Sequence, residues 1–151
     1  MNAEDFVAPA LVTLEEPPAE RRACIEFLLD LATAAGRVTD REAARDALLE
    51  REAASPTGLG NGVALPHART DAVARPTVAF ARSERGVDFG APDGDPATLL
   101  FCLLAPADAA ADHLEALSRL SRALADPTFR SRLAEADSER AVVAAIREAV
   151  A

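Results

Sequence analysis

The chain has 151 residues, 50% of them hydrophobic, which is enough for one domain with a substantial buried core. Its formal net charge of −9 disfavours binding to nucleic acid or to an anionic membrane and favours a basic protein partner. Residues 1–16 lack the basic region of a secretory signal, and the longest apolar stretch, residues 99–106, is far shorter than the ~20 residues that cross a bilayer. We therefore expect a single cytoplasmic domain, residues 1–151, without direct membrane insertion.

The first part of the chain predicts two helices. Apolar side chains in residues 18–35 recur at intervals of three and four, which indicates one apolar stripe on a helix, and Gly36 suits its C-terminal end. Thr39 and Glu42 form a capping-box pair, which predicts a second helix running to about Arg51. Two helices in succession therefore precede the first strand.

The middle of the chain predicts short strands. Apolar runs typical of strands are found at residues 63–65, 77–81 and 98–104. The last run is continuously apolar, which is typical of a strand covered on both faces. Residues 86–96 are rich in glycine, proline and aspartate and predict turns anchored by Phe89. Cys24 and Cys102 both lie in apolar stretches, so we expect free cysteines that act as small core side chains.

The C-terminal part predicts three further helices. One face of a helix that begins near Asp108 is lined by Leu117, Leu120 and Leu124. Asp126 followed by Pro127 is typical of an N-cap and the first residue of the next helix. The apolar face of the final helix consists of Val142, Val143, Ile146 and Val150. Because helices flank buried strands on both sides in sequence, we predict an α/β three-layer sandwich, with a mixed, mostly parallel sheet and helices on both faces.

The search for chemistry is short because the chain has two histidines, His67 and His113. His67 follows a glycine-rich loop, a short strand and Pro66, and Arg69 comes two residues later. Glycines allow backbone N–H groups to approach an anion, a neutral imidazole is a good nucleophile near pH 7, and arginine binds phosphate oxygens. The local chemistry suits a nucleophile that acts on an anion, although these residues alone also fit a surface or hydrogen-bonded structural histidine.

Several other kinds of site are disfavoured by their missing motifs. The glycine-rich loop lacks the Lys-Ser/Thr ending of a P-loop and the later acidic residue of a dinucleotide fold. Two histidines without a neighbouring cysteine do not make a zinc site by spacing, and no Gly-x-Ser-x-Gly nucleophile elbow is present in the sequence. A nucleotide, metal or serine-hydrolase site is therefore not predicted.

A longer sequence string resembles a known family. Arg51-Glu52, followed by Ser-Pro-Thr-Gly-Leu-Gly-Asn-Gly-Val-Ala-Leu-Pro-His-Ala-Arg over residues 55–69, closely resembles the active-site signature of the fructose–mannitol type (type 2) of enzyme IIA. These proteins are phosphocarriers of the bacterial phosphoenolpyruvate-dependent sugar phosphotransferase system. Residues 86–96 are similar to the second motif of the family. The third motif is matched by Leu100-Phe101, Ala105-Pro106, His113-Leu114 and Leu117. The resemblance covers roughly residues 8–150.

The resemblance implies a function for His67. In this family the histidine of the Pro-His element accepts a phosphoryl group on Nε2 from the carrier protein HPr and passes it to a cysteine or histidine of a IIB domain. Phosphoryl transfer depends mainly on positioning and charge stabilisation, so neither a metal nor a cofactor is expected. His67 is therefore the expected phosphoryl acceptor, with HPr and a IIB domain as partners and no nucleic acid.

The resemblance also implies supporting residues. His113 matches a second active-site histidine near the phosphoryl group, and Arg51 matches a basic residue that the family brings near the phosphohistidine. The expected phosphate-binding residues are the loop residues Gly60, Asn61 and Gly62 and, by proximity in sequence, Arg69. We further expect HPr to dock on an apolar rim around His67 that includes Leu59 and Val63.

Two roles within the family remain open at this point. Ser-Pro-Thr at residues 55–57 and Ala-Pro-Asp at residues 91–93 are similar to the fructose-specific branch, which predicts a sugar-transport phosphocarrier of fructose type. The alternative is a nitrogen-branch regulatory IIA protein, in which the phosphorylation state of His67 controls protein partners. The sugar itself is recognised by a membrane domain in this system and is not encoded in this chain.

Overall fold

A computed structural model describes residues 2–151, which form six α-helices, a short 3₁₀ turn and five strands. The helices are α1 (Ala3–Phe6), α2 (Arg21–Ala34), α3 (Arg41–Ala54), α4 (Ala110–Leu124), α5 (Pro127–Glu135) and α6 (Glu139–Val150). The strands are β1 (Gly58–Gly60), β2 (Val63–Ala64), β3 (His67–Arg69), β4 (Thr77–Val87) and β5 (Ala97–Ala105), and the 3₁₀ turn is Pro9–Leu11.

The sheet is built around β5. β2 and β3 pair in parallel with successive parts of β5, with Ala64 beside Leu100 and His67 beside Leu103. β4 pairs with β5 in antiparallel orientation, and β1 pairs with β2 in the same way. The predicted mixed sheet is confirmed, with two parallel and two antiparallel pairs within residues 2–151, the longest being the antiparallel β4–β5 pair.

Helices cover both faces of the sheet, as predicted. Successive residues of β5 point to opposite faces, so each face has its own apolar core. Leu100, Cys102 and Leu104 pack with α2 and α3. Leu99, Phe101 and Leu103 pack with α4, α5 and α6. The continuous apolar run of β5 thus fills two cores at once, which is why it lacks the alternation of a half-exposed strand.

The predicted helices are found, with one correction at the start of α3. The side chain of Asp40 caps this helix by accepting a hydrogen bond from the Ala43 N–H. Thr39 instead donates its hydroxyl to the carbonyl of Ala72, so the predicted Thr39–Glu42 capping box is wrong. Thr39 is free for this tertiary contact because the adjacent aspartate is as good an N-cap.

The other helix ends agree closely with the sequence. α2 begins at Arg21, and Gly36 follows its end with a φ of +76°, the left-handed conformation that favours glycine. Asp126 caps α5 with Pro127 as its first residue, as predicted. The predicted apolar face of α6 is fully buried. Within residues 2–151, no helix has the length and apolarity needed to cross a membrane.

β4 and β5 extend beyond their predicted limits, to Val87 and over Ala97–Ala105, whereas β2 is one residue shorter than predicted. The glycine-rich loop contains β1, and His67 lies in β3, a strand that the sequence pattern does not predict. These three-residue strands are stabilised by pairing, β1 with β2 and β3 with β5, rather than by local preference, which explains why the pattern misses them. Phe89 is buried, as expected. Both cysteines are free and buried, and burial raises their pKa values to about 12, consistent with an inert core role.

Candidate active site

His67 is held in one orientation by the backbone just before it. It is the first residue of β3 and is half-buried, and its Nδ1 lies 2.7 Å from the carbonyl oxygen of Leu65. Since a carbonyl can only accept, Nδ1 must carry the proton and donate it. The neutral ring therefore keeps its unprotonated lone pair on Nε2.

The surroundings of His67 favour this neutral form. Burial lowers the pKa of the ring from its usual value of 6.5, and the nearby Arg51 guanidinium lowers it further. The Leu65 carbonyl and the Glu52 carboxylate act in the opposite direction, but the net shift is downward. At pH 7 the imidazole is thus neutral, as a nucleophile must be.

His113 lies beside His67, with a ring-centroid distance of 5.6 Å and an interplanar angle of 40°. It is in the first turn of α4, whose N-terminus has no side-chain cap. The ring is 8% exposed, and its Nδ1 is buried without a hydrogen-bond partner among residues 2–151. Burial, followed by the proximity of His67 and Arg69, lowers the pKa of His113 to about 4. The second histidine is therefore also neutral at pH 7.

The two histidines open into a polar cleft of about 570 Å³. The cleft is lined by Ala47, Glu50, Arg51, Ala54, His67, Ala68, Arg69, Ala107 and His113. The guanidinium of Arg51 is anchored by donating to the Ser55 carbonyl at 2.8 Å, at the end of α3. The structure thus brings four of the predicted site residues together, from α3, β3 and α4.

An apolar groove of about 310 Å³ lies on the other side of His67. Its lining consists of Arg51, Pro56, Thr57, Leu59, Leu65, His67, Leu114, Leu117, Ser118 and Ser121. Leu59 is 45% exposed and Leu114 is 68% exposed. Within residues 2–151, these two are the large hydrophobic residues with exposed side chains. The expected apolar rim therefore includes Leu59 but not Val63, which is buried in the core.

Gly60, Asn61 and Gly62 are not brought to His67. Gly60 ends β1, and Asn61 and Gly62 form the turn to β2. All three have positive φ values, 87°, 57° and 76°, and none lines the polar cleft or the apolar groove. The Asn61 N–H donates to the Asp93 carboxylate at 2.9 Å, so this amide is already occupied. That hydrogen bond, with one from the Asp95 N–H, holds the pKa of Asp93 below its usual value. The glycines serve the geometry of the turn, which needs left-handed backbone.

Glu52 is a buried acid that the sequence reasoning did not select. Its carboxylate accepts hydrogen bonds from the N–H and the hydroxyl of Thr57, and Arg21 lies 3.5 Å away. The sequence spacing could have predicted that Glu52 is buried, because Ala44, Leu48 and Glu52 recur every four residues on the buried face of α3. A charged residue on such a stripe indicates a paired, buried carboxylate.

The site combines a neutral nucleophile with cationic groups. Arg51 and Arg69 present guanidinium groups suited to the oxygens of a phosphoryl group, while Nε2 of His67 supplies the lone pair. Among residues 2–151, no group of three or more His, Cys, Asp or Glu side chains is arranged to hold a metal ion. The arrangement is suited to accepting an anionic group from a large donor, because the cleft is open and borders an exposed apolar groove.

Comparison with known proteins agrees with this geometry. Over 140 residues the chain is 56% identical to the fructose-specific EIIA component of the phosphotransferase system from Haloferax volcanii, covering 93% of this chain and 91% of the relative. The crystal structure of nitrogen regulatory protein IIA-Ntr from Neisseria meningitidis superposes with a TM-score of 0.82 at 32% identity, covering 95% of this chain and 97% of that one.

A second similar structure includes a partner. It is the complex of mannitol enzyme IIA with phosphorylated enzyme IIB from Escherichia coli, with a TM-score of 0.80 and 27% identity, covering 94% of this chain and 97% of that one. Residues 5–149 match the family described as phosphoenolpyruvate-dependent sugar phosphotransferase system, EIIA 2. The resemblance drawn from the sequence is confirmed, and the chain belongs to the EIIA 2 family of the phosphoenolpyruvate-dependent sugar phosphotransferase system.

Proposed function

We propose that this protein is a cytoplasmic phosphocarrier that accepts a phosphoryl group from HPr on Nε2 of His67 and passes it to a IIB domain. The observation that carries the proposal is the hydrogen bond from His67 Nδ1 to the Leu65 carbonyl. It leaves the Nε2 lone pair free in a ring that lines the same cleft as Arg51 and Arg69.

The transfer needs no proton movement at His67. As the Nε2 lone pair forms the new bond to phosphorus, the bond between phosphorus and the donor atom of HPr breaks and its electron pair returns to HPr. The Nδ1 proton stays on the ring, held by the Leu65 carbonyl. In the second step the Nε2–phosphorus bond breaks, its electron pair returns to the ring, and the acceptor atom of IIB bonds to phosphorus.

The neighbouring side chains stabilise the charge of the transferring group. The loose transition state spreads negative charge over three oxygens, which arginine guanidiniums can bind in pairs. In this proposal Arg51 and Arg69 bind those oxygens, and the neutral His113 offers its single N–H. The uncapped first turn of α4 adds the positive end of a helix dipole. Because the cleft remains open, the product can be handed on to a second protein.

The apolar groove supports docking of both protein partners at one surface. Leu59 and Leu114 are exposed beside His67, and exposed leucines next to a reactive group are typical of protein interfaces. The similar mannitol IIA protein has been solved in complex with phosphorylated IIB. We infer that HPr and IIB use this groove in turn.

A transport role of fructose type is favoured by the Haloferax volcanii relative, which is named as fructose-specific and is 56% identical. The second candidate, a regulatory role of the nitrogen branch, is favoured by the similarity to the Neisseria meningitidis IIA-Ntr structure. In that case phosphorylated His67 would control partner binding through its added negative charge.

The proposal is tested by phosphorylation in vitro. Incubation with phosphoenolpyruvate, enzyme I and HPr should add about 80 Da, the mass of one phosphoryl group, in an acid-labile adduct detected by intact-mass spectrometry. His67→Gln should abolish the adduct, whereas His113→Gln, the matched control at the second histidine, should still be labelled at a reduced rate. Equal labelling of the His67→Gln variant and the wild-type protein would show that His67 is not the acceptor.

The two roles are separated by a second measurement. A fructose-type IIB domain should discharge the adduct if the protein serves transport. Affinity capture with phosphorylated and unphosphorylated protein should recover different partners if it serves regulation. Discharge to IIB together with identical partner sets supports transport, and the reverse result supports regulation.

A further inference from the structure

Glu52 is a buried carboxylate outside the cleft that His67 lines. It lies in the last turn of α3 and is 8% exposed. A buried carboxylate is costly unless it is hydrogen-bonded and paired. Glu52 meets both conditions. Its carboxylate accepts one hydrogen bond from the Thr57 backbone N–H, at 3.0 Å, and one from the Thr57 hydroxyl, and it forms an ion pair with Arg21. The carboxylate is therefore fully engaged in holding Thr57.

A chain of hydrogen bonds connects Thr57 to the nucleophile. The Thr57 carbonyl accepts from the Leu65 N–H at 3.0 Å, and the Leu65 carbonyl accepts from Nδ1 of His67 at 2.7 Å. The three residues belong to different segments: Thr57 precedes β1, Leu65 lies between β2 and β3, and His67 is in β3. The position of the Leu65 carbonyl therefore depends on where Glu52 holds Thr57.

We propose that Glu52 is a positioning residue, which sets the tautomer and orientation of His67 through Thr57 and Leu65 without touching the phosphoryl group. By holding the Leu65 carbonyl opposite Nδ1, it keeps the ring proton on that nitrogen and leaves Nε2 as the nucleophile. The proposal rests on the proposed phosphoryl-accepting role of His67.

Arg21 completes the arrangement from a neighbouring helix. Its Nε donates to the Asp88 carbonyl at 2.8 Å, and its guanidinium lies over the ring of Phe89, 5.7 Å from the centroid. Glu52 thus joins α2, the loop before β1 and the segment after β4. This connection predicts that the Glu52 carboxylate stays fixed when a partner docks on the apolar groove.

The test compares Glu52→Ala with Glu52→Gln. Glutamine can accept from the Thr57 N–H with its oxygen and donate to the Thr57 hydroxyl with its nitrogen, so it should restore the positioning without the charge. Two-bond ¹H–¹⁵N spectra of the ring at pH 7.5 report the tautomer. The wild-type protein and Glu52→Gln should show a protonated Nδ1 and a bare Nε2, and Glu52→Ala should show a mixture of tautomers.

The rate of phosphorylation by HPr is the second readout. Glu52→Ala should slow it about three- to tenfold, the scale of one net hydrogen bond, and Glu52→Gln should recover most of that loss. Leu48→Ala on the same buried face of α3 is the control for stability, since it weakens the core without breaking the hydrogen-bond chain. Leu48→Ala should lower the melting temperature but leave the tautomer unchanged.

A second variant keeps the test possible if Glu52→Ala is too unstable to study. If Glu52→Ala does not fold, Thr57→Val removes one of the two hydrogen bonds to Glu52 at nearly constant volume and should shift the tautomer in the same direction. An unchanged tautomer and rate in Glu52→Ala, or in Thr57→Val as its substitute, would overturn the proposal. Because the tautomer is measured on unphosphorylated protein, a failure of wild-type labelling would count against the proposed function and not against this inference.

Discussion

Two neutral imidazoles lie side by side at the centre of this site, and their environment explains their charge state. His67 and His113 are both withdrawn from water, and each also experiences positive charge from an arginine. Burial therefore dominates, since the charged form of an imidazole loses its hydration in the interior. The burial that keeps the His67 ring neutral should also make the protein sensitive to acid.

Acid should destabilise the folded protein through these histidines. Their folded pKa values lie below the usual 6.5, so the unfolded chain takes up protons first as the pH falls. Stability should therefore decrease from pH 6.5 towards the pKa of His113, about 4. Thermal melts between pH 7 and 5 should show this decrease, and His113→Gln should reduce its slope because that variant no longer carries the more strongly shifted group. Equal slopes in the two proteins would contradict the assignment.

At the level of elements, the site depends on where α3 ends and where α4 and β3 begin. α3 brings Arg51 and Glu52 in its last turn, α4 brings His113 in its first, and β3 places His67 beside β5. The helix ends matter because a shift of one residue would rotate these side chains by about 100° around the helix axis. The start of α3 is set by its N-cap, and this cap can be tested separately.

Removing the N-cap side chain of α3 should lower the stability of the protein, whereas replacing Glu42, the predicted capping-box glutamate, should have little effect on stability. Asp40→Ala removes the acceptor for the Ala43 N–H and is expected to lower the free energy of unfolding by about 1 kcal/mol. Glu42→Ala in the same turn, which removes the side chain that a capping box would need, should change it by less than about 0.5 kcal/mol, because surface substitutions away from such features have small effects. Urea denaturation measures both. A larger loss for Glu42→Ala than for Asp40→Ala would restore the capping-box interpretation.

At the scale of the whole molecule, charge and apolar surface have separate roles. The net charge of −9 acts over distance and would attract a basic partner towards the protein. The exposed side chains of Leu59 and Leu114 act only on contact, beside His67. We therefore expect salt to change the rate of association with a partner, and loss of an exposed leucine to change the affinity of the complex.

The association rate with HPr should fall as salt concentration rises, because ions screen the long-range attraction. Stopped-flow association at increasing sodium chloride measures this slope. Leu114→Ala is the control, since it removes apolar contact area but no charge. It should weaken binding by about 1 to 2 kcal/mol, as for an interface anchor, with an unchanged salt slope. A rate that does not vary with salt would remove charge steering from the docking mechanism.

Local sequence patterns were sufficient to predict the layers of the fold and to select His67 as the candidate nucleophile. The apolar stripes of the helices, the caps at Gly36 and Asp126 and the continuous run of β5 are encoded locally, because they follow from the period of each element and from the residues at its ends. The motif of residues 51–69 also selected Arg51 and His67 as candidate site residues, and the structure brings both to one cleft.

The neighbours of each candidate site residue, in contrast, follow from tertiary packing. It occupied the Asn61 amide with the Asp93 carboxylate and buried Val63, and it assigned the cap of α3 to Asp40 rather than to Thr39. It also tied Glu52 to Thr57 and Arg21. These outcomes depend on partners from distant parts of the chain, because hydrogen bonding and burial are satisfied by whatever the packed fold brings within reach, and a local pattern does not contain that information.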